Sequence, residues 1–164
     1  MAFFKELLKI KPDARFLIVN RHEHHLIVSL ADKHGVDRSK LEIGGVEHKD
    51  VPAKIVQMHA AAALIKPCFS KTSSAPTKLA EYLGCGVPCL GNIGVGDMED
   101  ILEGKGTGVA LRDFSQDALL KSAQRLISLA EDTKTAAHCR KVALELFSLE
   151  GGVAEYLKIY NRLA

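Results

Sequence analysis

The segment Ser70-Lys71-Thr72-Ser73-Ser74-Ala75-Pro76-Thr77-Lys78 gathers hydroxyls and two lysines just ahead of a stretch with helical spacing. The first turn of a helix has unpaired N–H groups and the positive end of the helix dipole, so it is a natural seat for phosphate. Lys71, Ser73, Ser74, Thr77 and Lys78 are therefore candidate contacts for a phosphorylated ligand. Glu81 follows Thr77 by four residues, which puts both on one helix face. Its carboxylate is suited to accept hydrogen bonds from a ribose diol. Hydroxyl-rich loops also serve as plain helix caps, and a glutamate one turn in is often only solvated. Spacing leaves both readings open.

Other chemistries find less support. His22-Glu23-His24-His25 begins like a zinc-protease helix, but Leu26 stands where the second histidine ligand is needed. His34, His48 and His59 are isolated, so we expect no metal site. The cysteines at 68, 85, 89 and 139 contain no C-x-x-C pair, and Cys85 and Cys89 have three residues between them with no second pair to complete a zinc site. They read as small buried hydrophobes in a reducing compartment.

The elements that must position these residues alternate along the chain. A helical stripe from Phe3 to Ile10 stops before Pro12, and an apolar strand runs from Ala14 to Val19. A helix over 22–34 ends at Gly35, and a second strand covers Leu41 to Val46. A helix over 51–59 and a strand over 60–67 lead into the hydroxyl-rich loop. Pro76 then opens a helix that runs to Gly84. A strand over 87–90, a glycine-rich turn over 91–96, a helix over 97–103 and a strand over 108–111 follow. Ser115 caps a long helix, and two further helical stripes, parted by Gly151-Gly152, reach Leu163. Strands that read apolar throughout and alternate with helices predict an α/β fold with a doubly wound parallel sheet, Rossmann-like, as a single domain over residues 1–164. In that fold ligands bind beyond the carboxyl ends of the strands, which singles out the loops 69–77 and 91–97.

Composition agrees with one globular domain. Of 164 residues 47% are hydrophobic, and 22 basic against 20 acidic residues give a net charge of only +2, which offers no electrostatic case for nucleic acid. No apolar run approaches the roughly 20 residues of a membrane span.

The stretch from Ala75 to Pro88, with Thr77-Lys78, Glu81 and Gly84-Cys85-Gly86-Val87-Pro88, resembles the donor-domain signature of retaining GT-B glycosyltransferases, the glycogen-synthase-like enzymes that use nucleotide sugars. The Thr107–Leu111 segment and the helix over 156–163 are also similar to that domain, so the resemblance runs from Phe3 to Leu163. It implies the C-terminal half of a GT-B architecture. Glu81 would hold the donor ribose, Thr77 and Lys78 the diphosphate, and Gly45 and Val46 would lie near the nucleobase. The first glutamate of the family's paired motif falls on Ser73, which can hydrogen-bond a sugar hydroxyl but lacks the stronger carboxylate acceptor.

The resemblance further implies transfer of a sugar, with retention, from a nucleotide-diphosphate sugar to a glycan or lipid acceptor. It requires no cofactor, no metal and no protein nucleophile. The acceptor domain, and the strand expected before the Phe3 helix, find no counterpart in the sequence, so the acceptor side is expected from another domain in cis or in trans. The chain alone is then expected to be inactive, cytoplasmic, and associated at most with the inner membrane face. Two alternatives stand beside this reading: a non-catalytic nucleotide-sugar-binding module, and a domain like that of a sugar-nucleotide epimerase.

Overall fold

A computed structural model describes residues 1–163 and shows five strands and seven α-helices in alternation. They are α1 (Ala2–Leu8), β1 (Phe16–Val19), α2 (His24–His34), β2 (Leu41–Gly44), α3 (Val51–Ile55), β3 (Ala61–Ala62), α4 (Thr77–Gly84), β4 (Cys89–Asn92), β5 (Gly108–Leu111), α5 (Gln116–Glu131), α6 (Thr135–Phe147) and α7 (Leu149–Leu163). Every strand pair is parallel. The sheet comes in two strips: β1 pairs with β2, with Phe16 opposite Leu41, and β3-β4-β5 form the other, with Cys89 opposite Ala61 and Gly108.

The larger strip is covered on both faces, as its apolar strands require. Period-two alternation sends Ala61, Ala63, Cys89 and Ala110 toward Leu79 and Leu83 of α4 and Cys139 and Ala143 of α6. Leu90, Val109 and Leu111 point the other way, onto Leu119 and Leu126 of α5. Around β1, Phe4, Ala31 and Val36 build a third cluster with Phe16 and Leu41, and the rings of Phe4 and Phe16 lie 5.2 Å apart. Helix α1 joins two clusters: Ala2 and Phe3 pack on the larger strip, while Phe4, Leu7 and Leu8 pack beside the smaller one.

Several boundaries differ from the sequence expectation, each for a local reason. Strand β3 shrinks from the expected 60–67 to Ala61–Ala62, because only its β4 side is paired and the ladder passes to a side chain, with Ile65 N–H donating to Asn92 Oδ1 at 2.8 Å. β4 spans Cys89–Asn92, so Gly91 lies in the strand and not in the glycine-rich turn. A Cβ there would sit 2.3 Å from Met98 Sδ, so close packing explains this glycine. The expected helix over 97–103 is widened into a turn of π type at Asp100–Gly104, and α3 ends at Ile55 instead of running to 59. Gly151 and Gly152 do not break the C-terminal helices. Ser148, extended at ψ 141°, ends α6, and both glycines lie inside α7. No residue of α7 is buried, and Tyr156, Leu157, Tyr160 and Leu163 all face outward.

Among the described residues no helix is long and apolar enough to cross a membrane. The four thiols are free. Cys89 and Cys139 are buried as expected and pushed up to about 12 and about 11 by burial. Cys85 is only half-buried, and Cys68 is exposed, so the expectation of buried cysteines does not hold for it.

Candidate functional site

Two clusters lie beyond the carboxyl ends of the strands. The first is built on the loop between β3 and α4. A 3-10 turn at Phe69–Lys71 is held by Lys71 N–H donating to Cys68 O at 2.8 Å, and Thr72 Oγ1 donates to Phe69 O at 2.7 Å. The loop after β4 locks onto it: Gly96 N–H donates to Lys71 O at 2.9 Å. Gly96 has φ +45°, and a Cβ there would fall 2.0 Å from the Ser74 carbonyl oxygen, so only glycine allows this approach. The two loops singled out from the sequence thus form one unit.

Pro76, extended at ψ 110°, precedes α4, and no side chain caps the helix. The amides of Thr77 and Lys78 therefore open the helix without an intrahelical partner. Leu79 and Leu83 bury one side of α4 in the core, which turns Thr77, Lys78 and Glu81 outward into solvent. Lys71 and Ser74 are half-buried, and Ser73 is exposed. Among the described residues neither Lys78 nor Glu81 forms an ion pair, so both charges are open to a ligand.

The electrostatics of the loop are visible at Cys68. A hydrogen bond from Ser70 Oγ at 3.3 Å, the Lys71 and Ser70 amides and the Lys71 charge hold its thiol below the ordinary value, against a smaller opposing effect of desolvation.

The second cluster follows β1 and β2. Gly45, Val46, Arg21 and Glu47 line an open concavity of about 410 Å³. Arg21 donates to Val46 O from Nη2 at 2.8 Å and from Nε at 3.2 Å, and pairs with Glu47 at 3.0 Å. Its side chain lies flat on Gly45, where a Cβ would meet Arg21 Cγ at 2.8 Å.

Sequence reasoning placed Gly45 and Val46 here but missed Arg21 and Glu47. It started α2 at His22, whereas Asn20–Glu23 is a loop: Asn20 Oδ1 accepts from His22 N–H at 2.7 Å, and Glu23 holds a left-handed φ of 57°. The available signal was a basic residue two places after an apolar strand. The histidines of this segment serve the loop as well, since His24 Nε2 lies 2.7 Å from Asn20 O. Among the described residues no three His, Cys, Asp or Glu side chains gather as metal ligands.

The helix start follows β3 and the concavity lies after β1 and β2, each beyond the carboxyl ends of its strands, and a helix start of this kind suits an anion. No family model and no curated protein sequence matches the chain. Solved structures do. The pneumococcal O-GlcNAc transferase GtfA, in complex with UDP and GlcNAc, superimposes at a TM-score of 0.74 with 18% identity, over 98% of this chain and 32% of that one. Sucrose-phosphate synthase from Thermosynechococcus elongatus gives 0.76 at 15% identity, over 99% and 41%. WaaG, a glycosyltransferase involved in lipopolysaccharide biosynthesis, gives 0.69 at 21%, over 94% and 42%. The chain spans less than half the length of each of these proteins. In fold, the chain is similar to the Rossmann-like C-terminal half of GT-B glycosyltransferases.

Proposed function

We propose that the chain is the donor-binding half of a glycosyltransferase and takes a nucleotide-diphosphate sugar. The observation that carries this reading is the uncapped start of α4, with Thr77, Lys78 and Glu81 turned outward beside the interlocked loops. In this reading the Thr77 and Lys78 amides, Lys78 and Lys71 hold the diphosphate, Ser73 and Ser74 face the sugar, and Glu81 accepts hydrogen bonds from the ribose. Gly45, Val46 and Arg21 form the platform for the base.

During transfer with retention, the bond from the sugar's anomeric carbon to the phosphate oxygen breaks and negative charge grows on the leaving diphosphate. Fixed N–H groups and lysines at that position stabilise it most when the charge is greatest. The acceptor, a glycan or lipid hydroxyl, is positioned by another domain in cis or in trans. The isolated chain therefore binds donor but transfers no sugar above background, because one wall of a cleft neither excludes water nor orients an acceptor. The free thiols accord with a cytoplasmic setting.

Ser73, in place of a carboxylate, favours a second reading, a nucleotide-sugar-binding module without transferase activity. Calorimetric titration with UDP, GDP and ADP tests binding, which we expect between roughly tens of micromolar and millimolar. Lys78→Ala weakens the diphosphate more than the nucleoside, whereas Glu81→Gln weakens both alike by about 1–3 kcal/mol. Negligible and equal effects from both substitutions refute the assigned site. Sugar transfer by the purified chain alone refutes the division of labour.

A further inference from the structure

A second cavity, of about 270 Å³, opens beneath the amino ends of β3 and β4, at the sheet edge opposite the start of α4. Met58 precedes β3, Val87 and Pro88 lead into β4, and the turn between α5 and α6 closes the other side. Val56, Met58, Val87, Pro88 and Leu129 give the cavity an apolar wall.

The opposite wall is polar and short of partners. Lys134 precedes α6, and no side chain caps the helix. Thr135 N–H donates to Asp132 O at 3.1 Å and His138 N–H to Lys134 O at 3.0 Å. The amides of Ala136 and Ala137 are left without a backbone acceptor among the described residues. Thr135 is only 6% exposed, yet its hydroxyl makes no hydrogen bond among the described residues. No buried side-chain oxygen among them is sealed off without a partner, and Thr135 lines the cavity, so its hydroxyl opens there. Such a group is costly until something binds it.

Arg140 stands one turn further along α6, on the face of Ala136. Its Nη2 donates to Cys85 O at 3.2 Å, and it pairs with no carboxylate among the described residues. Gly86, at φ +81°, lets the guanidinium lie against the backbone, since a Cβ there would fall 2.7 Å from Arg140 Cζ. One guanidinium and one carboxylate line the cavity, and the carboxylate, Asp132, already accepts from Lys134 N–H at 2.9 Å through Oδ1. That balance suits a single negative charge and disfavours a dianion.

We propose that this cavity binds a small monocarboxylate with an aliphatic body. The carboxylate sits at the start of α6 and accepts from the Ala136 amide, Thr135 Oγ1 and the Arg140 fork. The body lies on Val56, Met58, Val87 and Leu129. Cys85 follows α4, so this site lies at the far end of that helix from Thr77 and Lys78 and is separate from the donor site.

The test is titration of the whole chain with isocaproate, followed by amide NMR without nucleotide, so its outcome is independent of donor binding. The amides of Gly86, Ala136 and Ala137 shift and saturate with a Kd of about 0.1–1 mM, while those of Thr77 and Lys78 stay in place. Isocaproamide, which lacks the charge, and acetate, which lacks the body, each bind at least about 10-fold more weakly. Thr135→Val removes the hydroxyl but no bond of the fold, and weakens binding by about 3- to 10-fold. Arg140→Gln still donates to Cys85 O but loses the charge, and weakens binding by about 10- to 30-fold. Amide spectra away from the cavity show whether each variant is folded, and the ligand series on the unaltered chain decides the matter if one is not. The proposal is overturned by the lack of a saturable shift at Ala136 and Ala137, or by shifts at Thr77 and Lys78 in their place. Equal binding of isocaproamide, acetate or inorganic phosphate overturns it too, as does unchanged affinity in the folded variants.

Discussion

Gly96→Ala tests whether the two loops act as one unit. The substitution forces a side chain into a left-handed conformation at φ +45°, which costs about 1–2 kcal/mol wherever it occurs. Gly35→Ala measures that contribution by itself, since Gly35 has φ +66° and nothing within 4 Å of its added Cβ. At Gly96 the Cβ would also fall 2.0 Å from Ser74 O, so the carbonyl must retreat by roughly 1 Å to reach normal contact. That retreat breaks the hydrogen bonds from Gly96 and Ser74 N–H to Lys71 O, now 2.9 and 3.1 Å. Each is worth about 1 kcal/mol net. Gly96→Ala should therefore lose about 3–4 kcal/mol where Gly35→Ala loses about 1–2. Urea unfolding of the three proteins gives the comparison, with slopes checked for a shared denatured state. If the two variants agree within about 0.5 kcal/mol, the loops are not interlocked and the argument from the carbonyl clash fails.

Three further outcomes are expected. Arg125 beside Glu103, with contacts of 3.0 and 2.5 Å, holds that carboxyl below its usual range, helped by the Ala110 amide and opposed by desolvation. The folded value is the lower one, so the stabilisation is fully present above the unfolded value and fades as pH falls through the folded value. Glu103→Gln should thus lose about 1–2 kcal/mol at neutral pH, a gap that narrows below about pH 4.3 in thermal unfolding. Arg21→Ala should weaken nucleoside and nucleoside diphosphate alike by about 3- to 30-fold in calorimetry, and a loss confined to the diphosphate would move Arg21 to the phosphate end. Iodoacetamide at pH 7.5 should alkylate Cys68 ahead of Cys85, Cys89 and Cys139, and saturating UDP should slow it; mass spectrometry of the labelled peptides reads both.

The parts of the fold legible in the sequence are those where local chemistry and tertiary packing agree. β5 matches its apolar run Gly108–Leu111, and Ser115 caps α5 with its Oγ accepting from Ala118 N–H. The start of α4, with its hydroxyl-rich approach, stood out because turn and helix signals coincide there. What escaped is decided at a distance. Gly91 reads as turn because nothing local reveals Met98 packed over it, and Gly151-Gly152 reads as a break although the break is the extended Ser148. Arg21 was hidden by a histidine pattern that drew the helix start two residues early, and its partner Val46 is 25 positions away. Cys68 looked like a core residue because an apolar run precedes it, yet that run leaves the sheet after two paired residues.

The exposure of every residue in α7 bears on how the protein melts. It touches the body chiefly beside α6 and buries none of its residues, so little ties its unfolding to the rest. Its 15 residues lie near the length at which free helices are marginal in water, and each of its two glycines subtracts about 1 kcal/mol relative to alanine. The helix therefore frays over a broad temperature range while the packed body persists to a cooperative transition. Far-UV ellipticity mixes the two processes and yields an apparent enthalpy that is too small. Two of the three tyrosines, Tyr156 and Tyr160, ride on the fraying segment, whereas Tyr82 packs against the core. With no tryptophan in the chain, Tyr82 is the aromatic reporter whose signal follows the body alone.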